Sequence, residues 1–201
     1  MNSDYINEYI NKFERVLSFG YKNSYSTDAL ARTISYSLYF QKIEKDNGGF
    51  PPVINDMALI KSLFPFFKGN LDDIPVYREC YWAAEAYLRI QEHFKLTFEA
   101  IFLYIPINKM YGYFDLYHEM DFSQIIKLFN ELYEKNSTLS LLLERYSYSI
   151  KDISVESGIS YSTIYSFCKR RRDIKKADVK SIIILADLLN ARVETIAEIR
   201  L

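Results

Sequence analysis

Apolar residues recur at helical spacing along most of the chain, and polar or glycine- and proline-containing segments separate the apolar stretches. Before residue 135 this pattern predicts six helices, with N-caps, a C-terminal glycine and prolines at their ends. The predicted helices are residues 4–17 (ended by Gly20), 27–45 (capped by Ser26 or Thr27), 56–64, 76–94 (with Pro75 in the first turn), 97–105 and 121–134. The clearest break between them is the segment 46–52, which holds two glycines and two prolines.

In the C-terminal third, the same apolar spacing predicts five further helices, at residues 139–146, 150–157, 161–169, 176–189 and 193–199. The polar stretch 135–138 marks a domain boundary. We therefore predict an all-α protein with a helical N-terminal domain, residues 1–136, followed by a small helical domain, residues 137–201.

Residues 150–167 meet the requirements of two short helices that cross at a steep angle. The first helix needs an inward apolar residue followed by a small one, and the turn needs a residue that tolerates positive φ. The second helix needs an apolar plug before it, a cap, and two apolar residues three positions apart. These positions are filled, in order, by Ile153, Ser154, Gly158, Ile159, Ser160, Ile164 and Phe167. The segment is thus predicted to be a helix-turn-helix.

The helix order over residues 139–199 resembles the five-helix domain of Cro/CI-type (Xre) phage repressors, and the closing stretch 185–196 is also similar to that family. The resemblance implies a sequence-specific transcriptional regulator, a repressor, of a bacterium, phage or mobile element. It also implies a homodimer on a pseudo-palindromic operator in double-stranded DNA. One position departs from the family, which often has Gln at the start of the first motif helix. Ile150 stands there, so either Lys151 takes over that backbone contact or the contact is weak.

The resemblance makes residues 161–169 the recognition helix, with its outward residues at base edges in the major groove. The implied base contacts are Tyr161, Ser162, Thr163, Tyr165 and Ser166. The implied phosphate contacts are Lys151, Lys169, Arg170, Arg171, Arg172, Lys175 and Lys176. Hydroxyl groups discriminate bases less than Arg, Asn or Gln, so part of the specificity is expected from DNA shape or partner spacing.

The charge distribution agrees with a DNA-binding C-terminal third. The net charge is −1, but residues 138–201 carry 11 Lys and Arg against 8 Asp and Glu, and the remaining residues carry 14 against 18. The two cysteines, Cys80 and Cys168, lie far apart and do not suggest a disulfide framework. No signal-peptide pattern or membrane-length apolar run is present, so a cytoplasmic protein without membrane contact is expected.

Other chemistry has weaker support in the sequence, and we predict no catalytic residue, metal site or cofactor. His118 and Asp121 match no metal-binding spacing. Arg89 and His93 resemble the Arg and His arrangement of helical ribonucleases, but their spacing is one residue too short. The acidic N-terminal domain is expected to dimerise or to bind an effector or a protein partner. Two alternatives follow: an inhibitor of a host protein (anti-CRISPR or antitoxin-like) whose helix-turn-helix autoregulates, or a helical ribonuclease.

Overall fold

A computed structural model describes residues 3–45, 54–70 and 73–201, and the all-α class is confirmed there: helices make up the secondary structure and no strand is present in these ranges. The predicted break at 46–52 lies outside the described residues. The first eight helices are α1 (Ser3–Lys22), α2 (Thr27–Tyr36), α3 (Leu38–Lys45), α4 (Asp56–Leu63), α5 (Arg78–Phe94), α6 (Phe98–Tyr104), α7 (Ile107–Tyr117) and α8 (Ser123–Lys135). The last five are α9 (Thr138–Arg145), α10 (Ile150–Ser157), α11 (Tyr161–Cys168), α12 (Val179–Leu188) and α13 (Val193–Ile196), with a 3-10 turn at Ile174–Lys176.

Side-chain caps set where several helices begin. Ser26, Asn55 and Thr97 each accept a hydrogen bond from the backbone N–H three residues later, at 3.1, 2.8 and 3.1 Å. Helix α5 begins later than predicted, at Arg78, because Tyr77 is extended, and Pro75 therefore lies outside the helix.

Two further helix boundaries differ from the prediction. Helix α1 continues through Gly20 to Lys22, so Gly20 does not end the helix. It is instead a site of close packing, since a Cβ there would lie 2.6 Å from Leu30 Cδ2. The predicted helix 27–45 is broken at Ser37, whose backbone is extended between α2 and α3.

Helix α7 was not predicted at all. Its buried side chains are Ile107 and Met110, so its apolar stripe is short. Gly112 in its middle further weakens the helical pattern. The last helix is also shorter than predicted: α13 ends at Ile196 rather than at residue 199.

Buried apolar residues form two clusters along the chain. The first cluster is formed by helices α1 to α8, and its centre is aromatic. The centre of the Phe13 ring lies 4.8 Å from that of Phe40 and 5.4 Å from that of Phe98, both in edge-on arrangements. The second joins α9 to α13 and includes Leu103 of α6. We refer to the two parts as the N-terminal and C-terminal units; the boundary after residue 136 stays a prediction.

Buried polar groups hold the two units together. Arg192, in the turn before α13, donates from Nη1 to both carboxylate oxygens of Glu44 at 3.0 and 2.7 Å. Its backbone N–H donates to Glu99 Oε2 at 2.9 Å, and the Thr97 and Thr195 hydroxyls lie 2.7 Å apart. The C-terminal unit is therefore fixed on α3 and α6. Within the described ranges, no helix has the length and apolar character needed to cross a membrane.

Candidate nucleic-acid interface

Helices α10 and α11 form a helix-turn-helix whose turn is built by local hydrogen bonds. Gly158 ends α10 with φ 70°, a left-handed conformation that favours glycine. The Ser154 hydroxyl donates to the Ile159 carbonyl at 2.7 Å, which ties the small residue on α10 to the turn. Ser160 then caps α11 by accepting from the Thr163 N–H at 3.3 Å.

The inward face of this motif is apolar as predicted. Ile153, Ile164 and Phe167 are buried in the C-terminal cluster, and Ile159 is half-buried against it. Because these side chains fix one face of α11 against the core, the opposite face is held outward.

The five predicted base-contacting residues lie together on the outward face of α11. Tyr161 and Ser162 are exposed, and Thr163, Tyr165 and Ser166 are half-exposed. The Tyr161 and Tyr165 rings are nearly parallel, with centroids 6.2 Å apart and an angle of 15° between planes. Helix α11 thus presents an aromatic surface as well as hydroxyl groups.

Several serine and threonine hydroxyl hydrogens on this face are already used in local hydrogen bonds. Ser166 Oγ donates to the Ser162 carbonyl at 2.7 Å. Ser160 Oγ lies 3.1 Å from Ser162 Oγ and 2.8 Å from Thr163 Oγ1. What these serine and threonine side chains mainly offer outward is therefore oxygen lone pairs, which accept hydrogen bonds.

Five of the predicted phosphate contacts form an exposed cationic group just after α11. They are Lys169, Arg171, Arg172, Lys175 and Lys176, and none of the five has an ion-pair partner within the described ranges. The nearby carboxylate of Asp173 accepts the Lys175 N–H at 3.0 Å as a cap of the 3-10 turn. Lys151 is also exposed, but it lies on α10 rather than in this group.

Aromatic rings orient two of these arginines. The Arg171 guanidinium lies 5.2 Å from the centre of the Tyr165 ring, and that of Arg172 lies 5.6 Å from Phe167. Arg171 thereby extends the row begun by Tyr161 and Tyr165, and the cationic group borders the aromatic surface directly.

Arg170 differs from its neighbours because it forms hydrogen bonds with other side chains of the protein. Its guanidinium donates to both oxygens of Glu198 at 3.1 Å and to the Tyr104 hydroxyl at 3.0 Å, and it lies 4.3 Å from the centre of the Tyr133 ring. Burial lowers the pKa of Arg170, but Glu198, Tyr104 and Tyr133 together raise it by more, so the guanidinium stays charged. Arg170 thus joins the basic turn to α6 and α8, and its guanidinium is engaged within the protein.

The residues considered for catalysis are occupied by structural contacts. Arg89 pairs with Glu85 at 3.1 Å and Glu92 at 3.9 Å on its own helix, and the His93 ring packs on Phe94. His118 Nδ1 lies 2.8 Å from the Phe114 carbonyl at the end of α7. Among the described residues, no three His, Cys, Asp or Glu side chains are grouped so as to hold a metal ion.

Both cysteines are expected to react slowly in the native protein. Burial raises the pKa of Cys80 and of Cys168 to about 11, so little thiolate forms at pH 8. From ionisation alone we expect modification by a disulfide reagent to be roughly a hundredfold slower than in urea-unfolded protein. A stopped-flow thiol titration at pH 8 measures this ratio. Equal rates for folded and unfolded protein would contradict the burial of both thiols.

Comparison of the chain with protein-family models, with curated proteins and with solved structures gave no match in any of the three. The site is therefore interpreted from its own residues.

The residues that fix the C-terminal unit on the N-terminal unit were not predicted from the sequence. Glu44, Glu99 and Arg192 are charged residues on separate helices and turns, and they meet only in the folded chain. A buried carboxylate on an otherwise apolar helix face is the one signal available, and Glu44 follows the buried Ile43 directly on α3.

Proposed function

We propose that the chain is a sequence-specific DNA-binding protein of the repressor type, which regulates transcription in a bacterium, phage or mobile element. The recognition helix is α11, with base contacts from Tyr161, Ser162 and Ser166, and with Thr163 and Tyr165 beside them. Phosphate contacts come from the cationic group 169–176 without Arg170, and from Lys151 on α10.

The observation that carries the proposal is the position of the cationic group. The five exposed cations have no ion-pair partner among the described residues, and they directly follow α11. This helix is short and capped, and its buried face packs against the C-terminal core. Charges in such a place attract phosphates, and the neighbouring polar face then lies at the base edges. The resemblance to Cro/CI-type repressors supports the same interpretation.

The proposal includes a homodimer in the cytoplasm. Helix α11 has only 8 residues, and one such helix rarely gives enough affinity or specificity alone. Two copies would place their recognition helices about 34–36 Å apart, one turn of B-DNA. The N-terminal unit would supply the contact between copies, or bind the effector or protein that controls the repressor.

The decisive measurement is binding of the full-length protein to the DNA upstream of its own gene, over a range of salt concentrations. We expect saturable binding that weakens with salt, because bound phosphates release counterions. Arg171→Ala is expected to weaken binding to all sequences and to reduce the slope of log affinity against log salt by about 1. Ser162→Ala is expected to change sequence preference instead.

Arg32→Ala is the matched control, because Arg32 is exposed on α2 of the N-terminal unit, far along the chain from α11. It should leave both affinity and slope unchanged. Binding equal to that of random DNA would reject the proposal. The helix-turn-helix would then be a protein-interaction module, and the search would move to partners of the N-terminal unit.

A further inference from the structure

The outward face of α11 has an unusual composition for a base-reading surface. The sequence of the helix is Tyr-Ser-Thr-Ile-Tyr-Ser-Phe-Cys, without Arg, Lys, Asn or Gln. Guanine is most often read by two parallel donors from Arg or Lys, and adenine by the amide of Asn or Gln. Neither device is present on this helix, so base selection must come from hydroxyl oxygens and aromatic rings.

The hydrogen bonds on this face decide which base edges those oxygens can meet. The Ser166 hydroxyl donates to the Ser162 carbonyl, and the hydroxyls of Ser162 and Thr163 each form a hydrogen bond with Ser160 Oγ. These bonds use three of the four hydroxyl hydrogens, so the face offers mainly acceptor oxygens, which pair with the amino groups of adenine or cytosine. A guanine there would place its O6 and N7 acceptors against further acceptors, which is unfavourable.

The aromatic row favours adenine–thymine over cytosine–guanine pairs. Tyr161 is 53% exposed, and its ring is supported by Tyr165, which is itself covered by the Arg171 guanidinium. A ring held in this way is a rigid apolar surface at low entropic cost. Thymine is the only base whose major-groove edge carries a methyl group, and that methyl is the apolar contact a ring can make.

We infer that the recognition helix selects A·T base pairs, with the rings of Tyr161 and Tyr165 packed on thymine methyl groups and the hydroxyl oxygens of Ser162 and Ser166 facing adenine amino groups. This inference rests on the proposed function and adds the class of operator. Arg171 then supports the ring of Tyr165 in addition to contacting phosphate.

The test replaces thymine by deoxyuridine, which removes the methyl group and leaves base pairing unchanged. A preferred half-site is first obtained by enrichment from random duplex DNA with the full-length protein. Each thymine in it is then replaced singly, and affinity is measured by fluorescence anisotropy. At one or two positions we expect a loss of roughly threefold to fivefold, the value of one buried methyl group.

Two variants assign the methyl contact to the ring. In Tyr161→Ala the deoxyuridine effect should disappear at the contacted position, with a ratio of about 1 between the two duplexes. Tyr161→Phe keeps the ring and loses only its hydroxyl, so the full methyl effect should remain. Because Tyr161 lies on the surface, neither change is expected to unfold the domain.

The possible outcomes separate this inference from the proposed function. Saturable, sequence-specific binding that no deoxyuridine replacement weakens, or a half-site with guanines opposite α11, would overturn the inference and leave the DNA-binding function intact. The absence of saturable binding to any duplex would overturn both.

Discussion

Replacing Arg192 by methionine is expected to lower the free energy of unfolding by about 3–5 kcal/mol, because it leaves the Glu44 carboxylate buried without a counter-charge. The Arg192 side chain is 6% exposed and that of Glu44 is fully buried, with 2.7 Å between Nη1 and Oε2. Methionine fills similar space, so the loss reflects charge rather than a cavity. Urea unfolding followed by circular dichroism measures it.

Protonation of Glu44 offers a second measurement of the same ion pair. Burial raises the pKa of Glu44 above its usual value, and Arg192 opposes that rise. In Arg192→Met the opposition is lost and the pKa of Glu44 rises further, so the variant gains more stability than wild type as pH falls through its folded pKa. The difference in free energy of unfolding between wild type and Arg192→Met should therefore be smaller at pH 5 than at pH 7.

Two control variants show whether the effect belongs to the ion pair. Arg32→Met, at an exposed position on α2, should change stability by less than about 0.5 kcal/mol. In the double variant Glu44→Gln with Arg192→Met, neither charge of this pair remains, so the loss should be smaller than the sum of the two single losses. A loss below about 1 kcal/mol in Arg192→Met would show that this contact does not hold the two units together.

The helix-turn-helix could be predicted from the sequence because its determinants are local. Gly158 and Ser160 each act on backbone within a few residues, the first by adopting φ 70° and the second by capping α11. Ile153 and Ile164 add the buried face, and helical spacing reveals it. Because these local determinants fix the direction of α11 and its buried face, they also determine that Tyr161 lies on the outward face.

The contacts between the two units could not be predicted, because their residues are far apart in the sequence. Glu44 and Arg192 are separated by 148 positions, and Tyr104 and Arg170 by 66. In the run of three arginines, Arg170 is chemically identical to Arg171 and Arg172. Only the fold shows that it faces Glu198 while its neighbours face solvent.

The polar contacts also bear on how the protein would work as a regulator. A DNA-binding helix on a loosely tethered unit would take many orientations. Here Arg192 and Thr195 fix the C-terminal unit on α3 and α6, and Arg170 and Glu198 fix it on α6 and α8 through the hydroxyls of Tyr104 and Tyr133. If the N-terminal unit carries the contact between copies, the distance between two recognition helices is set through these groups. A variant can then lose operator affinity without losing any atom that touches DNA.

Arg170→Met is the variant in which this separation should be clearest. Glu198 is buried and keeps its bonds from the Thr138 N–H and the Tyr133 hydroxyl, both at 3.0 Å, but loses both bonds from Arg170. We expect the free energy of unfolding to fall by about 2–3 kcal/mol, the range for hydrogen bonds to a charged group. We also expect weaker operator binding, because the turn that carries Arg171 is no longer anchored.

Under the proposed function, the salt dependence of DNA binding distinguishes anchoring from phosphate contact. If Arg170 acts by anchoring, the slope of log affinity against log salt in Arg170→Met equals that of wild type, whereas Arg171→Ala reduces it by about 1. The two variants remove the same formal charge from adjacent positions, so net charge cannot explain a difference between them. If Arg170→Met instead reduced the slope by about 1 at unchanged stability, Arg170 would be a phosphate contact after all, and its bonds to Glu198 would have to break when DNA binds.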